Sequence, residues 1–217
     1  MANIDVNRWV EAVLNDFTKS VPDDFLYFVL GSVPLISYTK DIGYQRSIKD
    51  IDIIADASKF SSVKKNLDNL GYKQGTFIDK KMPFYKYLNK LAEKKYFRFY
   101  KEDKNLEIMT SDIEIINDQI NFEIYPGIKF SFPLSGINKI RFGKTVIKAV
   151  IPEVLYCIYS FGLKTYGRFV KTNIDQRKKD LYFLSKIVDK KKLNLVVSQI
   201  CLHLGGIKIR IPRITII

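Results

Sequence analysis

The chain has a single histidine, His203, among its 217 residues. That scarcity removes zinc sites built on imidazole and triads that use histidine as the base. Cysteine is almost as scarce. Cys157 and Cys201 are the only two, each in an apolar stretch that reads as helical. Two such thiols are expected to be buried and free in a reducing compartment, not to form a disulfide framework. No apolar run reaches the roughly 20 residues that a membrane span needs. The opening Met1-Ala2-Asn3-Ile4-Asp5 lacks the basic and apolar regions of a secretory signal. A cytoplasmic protein with no membrane association is the expectation. Internal repeats and low-complexity linkers are also missing, which sets aside solenoids and disordered tethers.

Acidic residues are few relative to basic ones. Asp plus Glu is 23 against 36 Lys plus Arg, so the formal net charge is +13. Such an excess attracts polyanions, namely nucleotides, RNA or DNA. It also fits a chain from a lysine-rich proteome. A hydrophobic fraction of 47% is enough for a packed core. The length suits one full domain, or a core with a small helical appendage.

Trp9, Val10, Val13, Leu14 and Phe17 recur at helical spacing, so residues 6–18 are predicted to be an amphipathic helix. Residues 25–30 form a short apolar run, the size of a buried strand, that stops at Gly31-Ser32. A short helix follows, with Pro34 in its first turn, where a missing N–H is tolerated. Residues 51–54 read as the next strand, and residues 58–70 as a helix closed by Gly71. A hairpin is predicted from 96–100 and 106–109 around the polar turn 101–105, with further strands at 113–116, 121–125, 139–142 and 145–150. After Pro152 the pattern turns helical, with helices from 152, over 175–188 and over 193–204, and a weakly alternating tail from 207 that suits a terminal strand. The fold class is therefore α/β (α+β). A mixed sheet over residues 25–125 is expected, with helices on one face and a mainly helical C-terminal part. The expected boundary divides a core at 1–150 from a C-terminal region at 151–217.

Chemistry concentrates in Leu30-Gly31-Ser32 and Lys49-Asp50-Ile51-Asp52-Ile53. A strand ending in Gly-Ser presents bare backbone N–H groups and a hydroxyl, and such a turn at a helix start suits phosphate. On a strand, Asp50 and Asp52 point to the same face. Two carboxylates that close repel each other unless a cation sits between them. Magnesium is the natural one, because it is hard and keeps open positions for phosphate oxygens. Such a pair can serve displacement at phosphorus.

These residues resemble the DNA polymerase beta-like nucleotidyltransferase superfamily, whose mark is an apolar strand, Gly-Ser, a short helix and then Asp-x-Asp. Here the stretches are Phe28-Val29-Leu30-Gly31-Ser32 and Arg46-Ser47-Ile48-Lys49-Asp50-Ile51-Asp52. The small prokaryotic branch, with antibiotic nucleotidyltransferases and toxins of abortive-infection systems, looks most similar. In that branch a hydroxyl residue is usual where Ile48 stands, and residues 37–45 make an insertion relative to the compact form. The resemblance implies transfer of a nucleoside monophosphate from a nucleoside triphosphate to an acceptor hydroxyl of RNA, a protein or a small molecule. Asp50 and Asp52 would bind magnesium. Gly31 and Ser32 would hold the phosphates, and Arg46 or Lys49 would neutralise the leaving pyrophosphate. A third acid is implied on a later strand. Glu107, in the apolar-acidic-apolar run Leu106-Glu107-Ile108, takes that role as metal ligand or base, with Asp112, Glu114 and Glu123 as competitors. The net charge favours RNA as acceptor, and the toxin branch implies an antitoxin-like protein partner.

Pro152-Glu153 and Lys179-Asp180 also match the branch's helical half, with Tyr159 near the place of its usual lysine. Asp180 is expected to pair with a nearby base. Residues 80–101 interleave eight Lys and Arg with aromatics. This stretch is either a nucleic-acid face or a solvated lysine face over an aromatic core stripe. His203 reads as a core residue. The alternative to an enzyme is a nucleotidyltransferase fold that binds nucleic acid or a protein without turnover.

Overall fold

In the computed structural model, residues 4–75, 96–102, 104–125, 128–165, 174–204 and 207–210 are described. Helix α1 (Ile4–Ser20) precedes strand β1 (Tyr27–Leu30), helix α2 (Ser32–Thr39) and strand β2 (Ile51–Asp56). Helix α3 (Phe60–Asn69) leads to the short β3 (Lys73–Gly75), and β4 (Tyr96–Lys101) and β5 (Lys104–Ser111) form a hairpin. Then come β6 (Glu114–Ile116), β7 (Gln119–Tyr125), β8 (Ile128–Pro133), β9 (Ile137–Phe142) and β10 (Thr145–Val150). The C-terminal part holds α4 (Pro152–Thr165), α5 (Ile174–Ser185), α6 (Lys190–Gln199), β11 (Cys201–Leu204) and β12 (Ile207–Arg210).

Two sheets result. The larger runs β3-β4-β5-β2-β1-β10-β9, with β2 parallel to β5 and antiparallel to β1. The smaller runs β12-β11-β8-β7-β6. Alternation along the central strands separates two cores. Val29, Ile53 and Ile108 face one way, onto the α1 stripe of Val10, Val13, Leu14 and Phe17 and onto Val63 and Leu67 of α3. Phe28, Ile54 and Met109 face the other way, onto β7, β8 and helices α4–α6. Phe28 wedges edge-on against Phe122 and Phe132, which joins the two sheets. Truncating so buried a ring costs about 3–5 kcal/mol. The period-2 alternation also places Asp52 with Ile54 and Glu107 with Met109, on the side of the C-terminal helices.

Three expectations are corrected. The strands over 114–125 belong to the smaller sheet, not to the sheet that carries the Asp pair. The hairpin turn is tighter than residues 101–105, since Lys101 and Lys104 are already paired. The third C-terminal helix ends at Gln199, and Cys201 begins a strand. An apolar run of this length satisfies either period, and here pairing to β8 decides. Residues 37–45, expected to be an insertion, are packed into the fold. They complete α2 and a 3-10 turn (Lys40–Ile42), and Tyr44 is buried. Most of the basic aromatic stretch lies outside the described residues. Within it, Phe97 and Phe99 pack on Phe60, Phe99 is fully buried, and Lys101 pairs with Asp16 at 3.2 Å.

Candidate active site

The turn between β1 and α2 is shaped by one glycine. Gly31 has φ 78°, a left-handed conformation that L side chains rarely adopt. A Cβ there would also collide with the Asp52 carboxylate. Two independent constraints thus require glycine at this point. Ser32 follows as the first residue of α2 and is buried, and no side chain caps the helix start. The first N–H groups of a helix have no partners within it, and the dipole there favours an anion.

Asp50 directly precedes β2 and Asp52 is its second residue. Glu107 lies on β5, in register with Asp52 across the parallel pair, and Arg98 of β4 is in register with Glu107. Arg98, Glu107, Asp52 and Leu30 therefore form one rank across four strands. One carboxylate oxygen from each of Asp50, Asp52 and Glu107 lies within 4.8 Å of the others, and all three residues are half-buried. Arg98 Nη2 forms an ion pair with Glu107 Oε1, which fixes that carboxylate's orientation. Burial pushes the Asp52 carboxyl up to about 7, with the charges of Asp50 and Glu107 adding to it. Glu107 is also raised, first by burial, against the lowering effect of Arg98. A half-buried set of oxygen donors with its charges crowded fits a hard divalent cation. Of the competing acids, Asp112 and Glu114 are exposed, and both Glu114 and Glu123 belong to strands of the smaller sheet.

Basic groups surround this cluster. Arg46 Nη1 binds Asp180 Oδ2 at 2.5 Å. Tyr44 also donates to Asp180, and Gln176 Nε2 donates to both Tyr44 Oη at 2.7 Å and Asp180 Oδ1 at 2.9 Å. Asp180 is 1% exposed, so this latch ties the segment before β2 to helix α5. Asp180 thus pairs with a base, as its sequence context suggests. Arg46, singled out for phosphate, has one side-chain nitrogen committed to that latch. Lys49 is exposed beside Asp50, and Ile48 is buried in the core under β2. The guanidinium of Arg177 lies 3.9 Å from the ring centre of buried Tyr159, and its charge draws the Asp52 carboxyl down. Burial pushes the Tyr159 hydroxyl up to about 12, so it stays protonated at neutral pH.

Sequence reasoning did not single out Arg98, Arg177, Tyr44 or Gln176 as site residues. Arg98 was accessible in principle, because a hairpin with a tight turn pairs it with Glu107. The other three meet the site only through tertiary packing.

This architecture is shared with solved antibiotic adenylyltransferases. Among solved structures, the lincosamide antibiotic adenylyltransferase LnuA, with lincomycin bound, matches with a TM-score of 0.55. It is 19% identical over 83% of this chain and 96% of that chain. ANT(2")-Ia in complex with adenylyl-2"-tobramycin also gives 0.55, at 10% identity over 85% of this chain and 92% of that one. The solution structure of ANT(2'')-Ia gives 0.55 at 8% identity, covering 88% of each chain. No protein-family model and no curated protein sequence matches the chain.

Proposed function

We propose that this chain is a magnesium-dependent nucleotidyltransferase that moves a nucleoside monophosphate from a nucleoside triphosphate to an acceptor hydroxyl. One observation carries this reading: the carboxylates of Asp50, Asp52 and Glu107 come together beside the Gly31-Ser32 turn. These three residues would hold the magnesium, which would screen the charge that develops on the phosphates. Gly31 and Ser32, with the free N–H groups of α2, receive the phosphates. Lys49 and the uncommitted part of Arg46 offset the charge of the leaving group. The acceptor oxygen bonds to the α-phosphorus, the α–β bridging bond breaks, and pyrophosphate departs with that electron pair. Glu107, oriented by Arg98, accepts the hydroxyl proton.

The acceptor belongs to RNA, a protein or a small molecule. The solved structures of two fold neighbours hold lincomycin and adenylyl-2"-tobramycin. Small polyhydroxylated molecules are therefore the first class to screen, with RNA second on the strength of the net charge. The antitoxin-like partner rests on the sequence resemblance alone.

The test uses labelled nucleoside triphosphates with magnesium and acceptor panels, reading pyrophosphate release. Wild type should release it, and folded Asp50→Ala and Asp52→Ala should not. Equal release by both variants would sink the proposal, as would a wild type that binds no nucleotide with magnesium present.

A further inference from the structure

Among the described residues, three guanidinium groups lie around the carboxylate cluster, and two of them are paired. Arg98 pairs with Glu107, and Arg46 with Asp180. For Arg177 no ion pair occurs among the described residues. Its guanidinium carbon instead lies over the Tyr159 ring, 3.9 Å from the ring centre. A cation–π contact uses a face of the group and not its N–H donors, which make no ion pair among the described residues; such a fork is the means by which arginine grips phosphate oxygens. Tyr159 is 3% exposed on α4, so the ring is a fixed platform. Gln176, next to Arg177 on α5, bonds to Asp180, which pairs with Arg46 shortly before Asp50, and the charges of Arg46, Arg177, Asp180 and Asp52 all act on the Tyr159 hydroxyl. Asp52 in turn feels Arg177 more strongly than it feels Arg46. Arg177 is thus a cation within electrostatic reach of the carboxylates, held in place by packing and joined to none of them.

We infer that Arg177, held over the Tyr159 ring, binds the β- and γ-phosphates of the nucleoside triphosphate and is a binding residue of this site. The inference rests on the nucleotidyltransferase reading and adds the residue that receives the leaving pyrophosphate. Among the described cations near the cluster, Arg177 combines a fixed position with donors that no ion pair among the described residues engages. Lys49 is exposed on a flexible stem, and a compact ammonium lacks the bidentate fork. The competing role is structural, because the same stack also braces α4 against α5.

Titration calorimetry with magnesium separates the two roles. Wild type, Arg177→Gln, Arg177→Lys, Tyr159→Leu and Tyr159→Phe are each titrated with the four ribonucleoside triphosphates and the matching monophosphates. A lost charge-assisted phosphate contact should weaken triphosphate binding by Arg177→Gln about 10- to 100-fold. Monophosphate binding, which lacks the β- and γ-phosphates, should change by less than about 3-fold by the same reasoning. Arg177→Lys should recover part of the loss. Tyr159→Leu should share it, and Tyr159→Phe, which keeps the ring, should reverse it. A melting temperature lowered in Arg177→Gln with triphosphate affinity unchanged would overturn the inference in favour of the brace. Equal losses for both nucleotide classes would overturn it too. A wild type that binds neither class would instead remove the underlying nucleotidyltransferase reading.

Discussion

Replacing Asp52 by Asn removes one negative charge from a half-buried group of three carboxylates and keeps the side chain's size. In the metal-free fold burial, with the charges of Asp50 and Glu107 adding to it, pushes this carboxyl up from its ordinary 3.8 to about 7. Below 3.8 it is protonated in both the folded and unfolded chain, and no penalty exists. Between 3.8 and 7 the unfolded chain ionises first, so stability falls as pH rises. Above 7 the full penalty is present, of order 2–4 kcal/mol once solvent access to a half-buried group is allowed for. Asn carries no such penalty. Without metal at pH 8, Asp52→Asn should therefore melt higher than wild type, by on the order of 5–10 °C for a chain of this size. The difference should shrink steadily towards pH 4. Magnesium should raise the melting temperature of wild type and leave the variant nearly unmoved, since only the former has the ligand set. Thermal melts in chelator and in magnesium across that pH range decide the matter. A variant that melts at or below wild type at pH 8 in chelator would refute the reasoning. So would an advantage of the same size at pH 5 and pH 8.

Gly31→Ala forces a methyl group against the Asp52 carboxylate and strains φ, so it should lose about 1–3 kcal/mol of stability together with magnesium–nucleotide affinity. Denaturant melts and calorimetry check this, and unchanged nucleotide binding would contradict it. Asp180→Asn leaves Arg46 without its counter-charge. Because Arg46 is 23% exposed, the loss should lie at or under the low end of the about 3–5 kcal/mol for a broken buried pair. Denaturation midpoints measure it, and a loss below about 0.5 kcal/mol, the scale of surface changes, would show that the latch carries little. Arg98→Gln removes the charge that holds the Glu107 carboxyl down, so Glu107 should stay protonated to higher pH. The acid limb of magnesium-dependent turnover should then move to higher pH, and superimposable pH profiles would count against Glu107 as a ligand.

Local pattern was enough for the parts of the site that are contiguous in sequence. The apolar strand, Gly31-Ser32 and Asp50-x-Asp52 are each short, and their geometry follows from turn chemistry and the period of a strand. Glu107 was legible as an acid within an apolar triplet but not as a neighbour of Asp52, because a parallel pairing leaves no local trace. Arg98 shows how fine the limit is. Its meeting with Glu107 depends on the hairpin register, and a shift of one residue would turn it to the other face. Tyr44 and Asp180 are 136 positions apart, so nothing local announces their bond. Strand β8 escaped although Ile128, Phe130 and Phe132 alternate, because it is framed by Pro126-Gly127 and Pro133, which read as loop. Membership of the smaller sheet is likewise fixed by partners far along the chain. The split of β6 and β7 from the larger sheet could not be read from their own composition.

Among the described residues, three carboxylates stand against three guanidiniums, but position gives the site a polarity. Arg98 is committed to the outer flank of Glu107, and Arg46 is committed to Asp180, which is not part of the cluster. Among the described residues, Asp52 has the more distant influence of Arg177 and Arg46. The centre is therefore negative, and its rim, at Arg177 and the start of α2, is positive. A surface that merely bound nucleic acid would gain nothing from that arrangement, since carboxylates at its centre repel the phosphates that dominate such affinity. A metal–triphosphate complex has the complementary pattern, with a cation at one end and polyanionic oxygens beyond it. The overall charge of +13 can draw either ligand towards the protein. Only the local polarity distinguishes them, and it favours the nucleotide with its metal over the nucleic acid backbone.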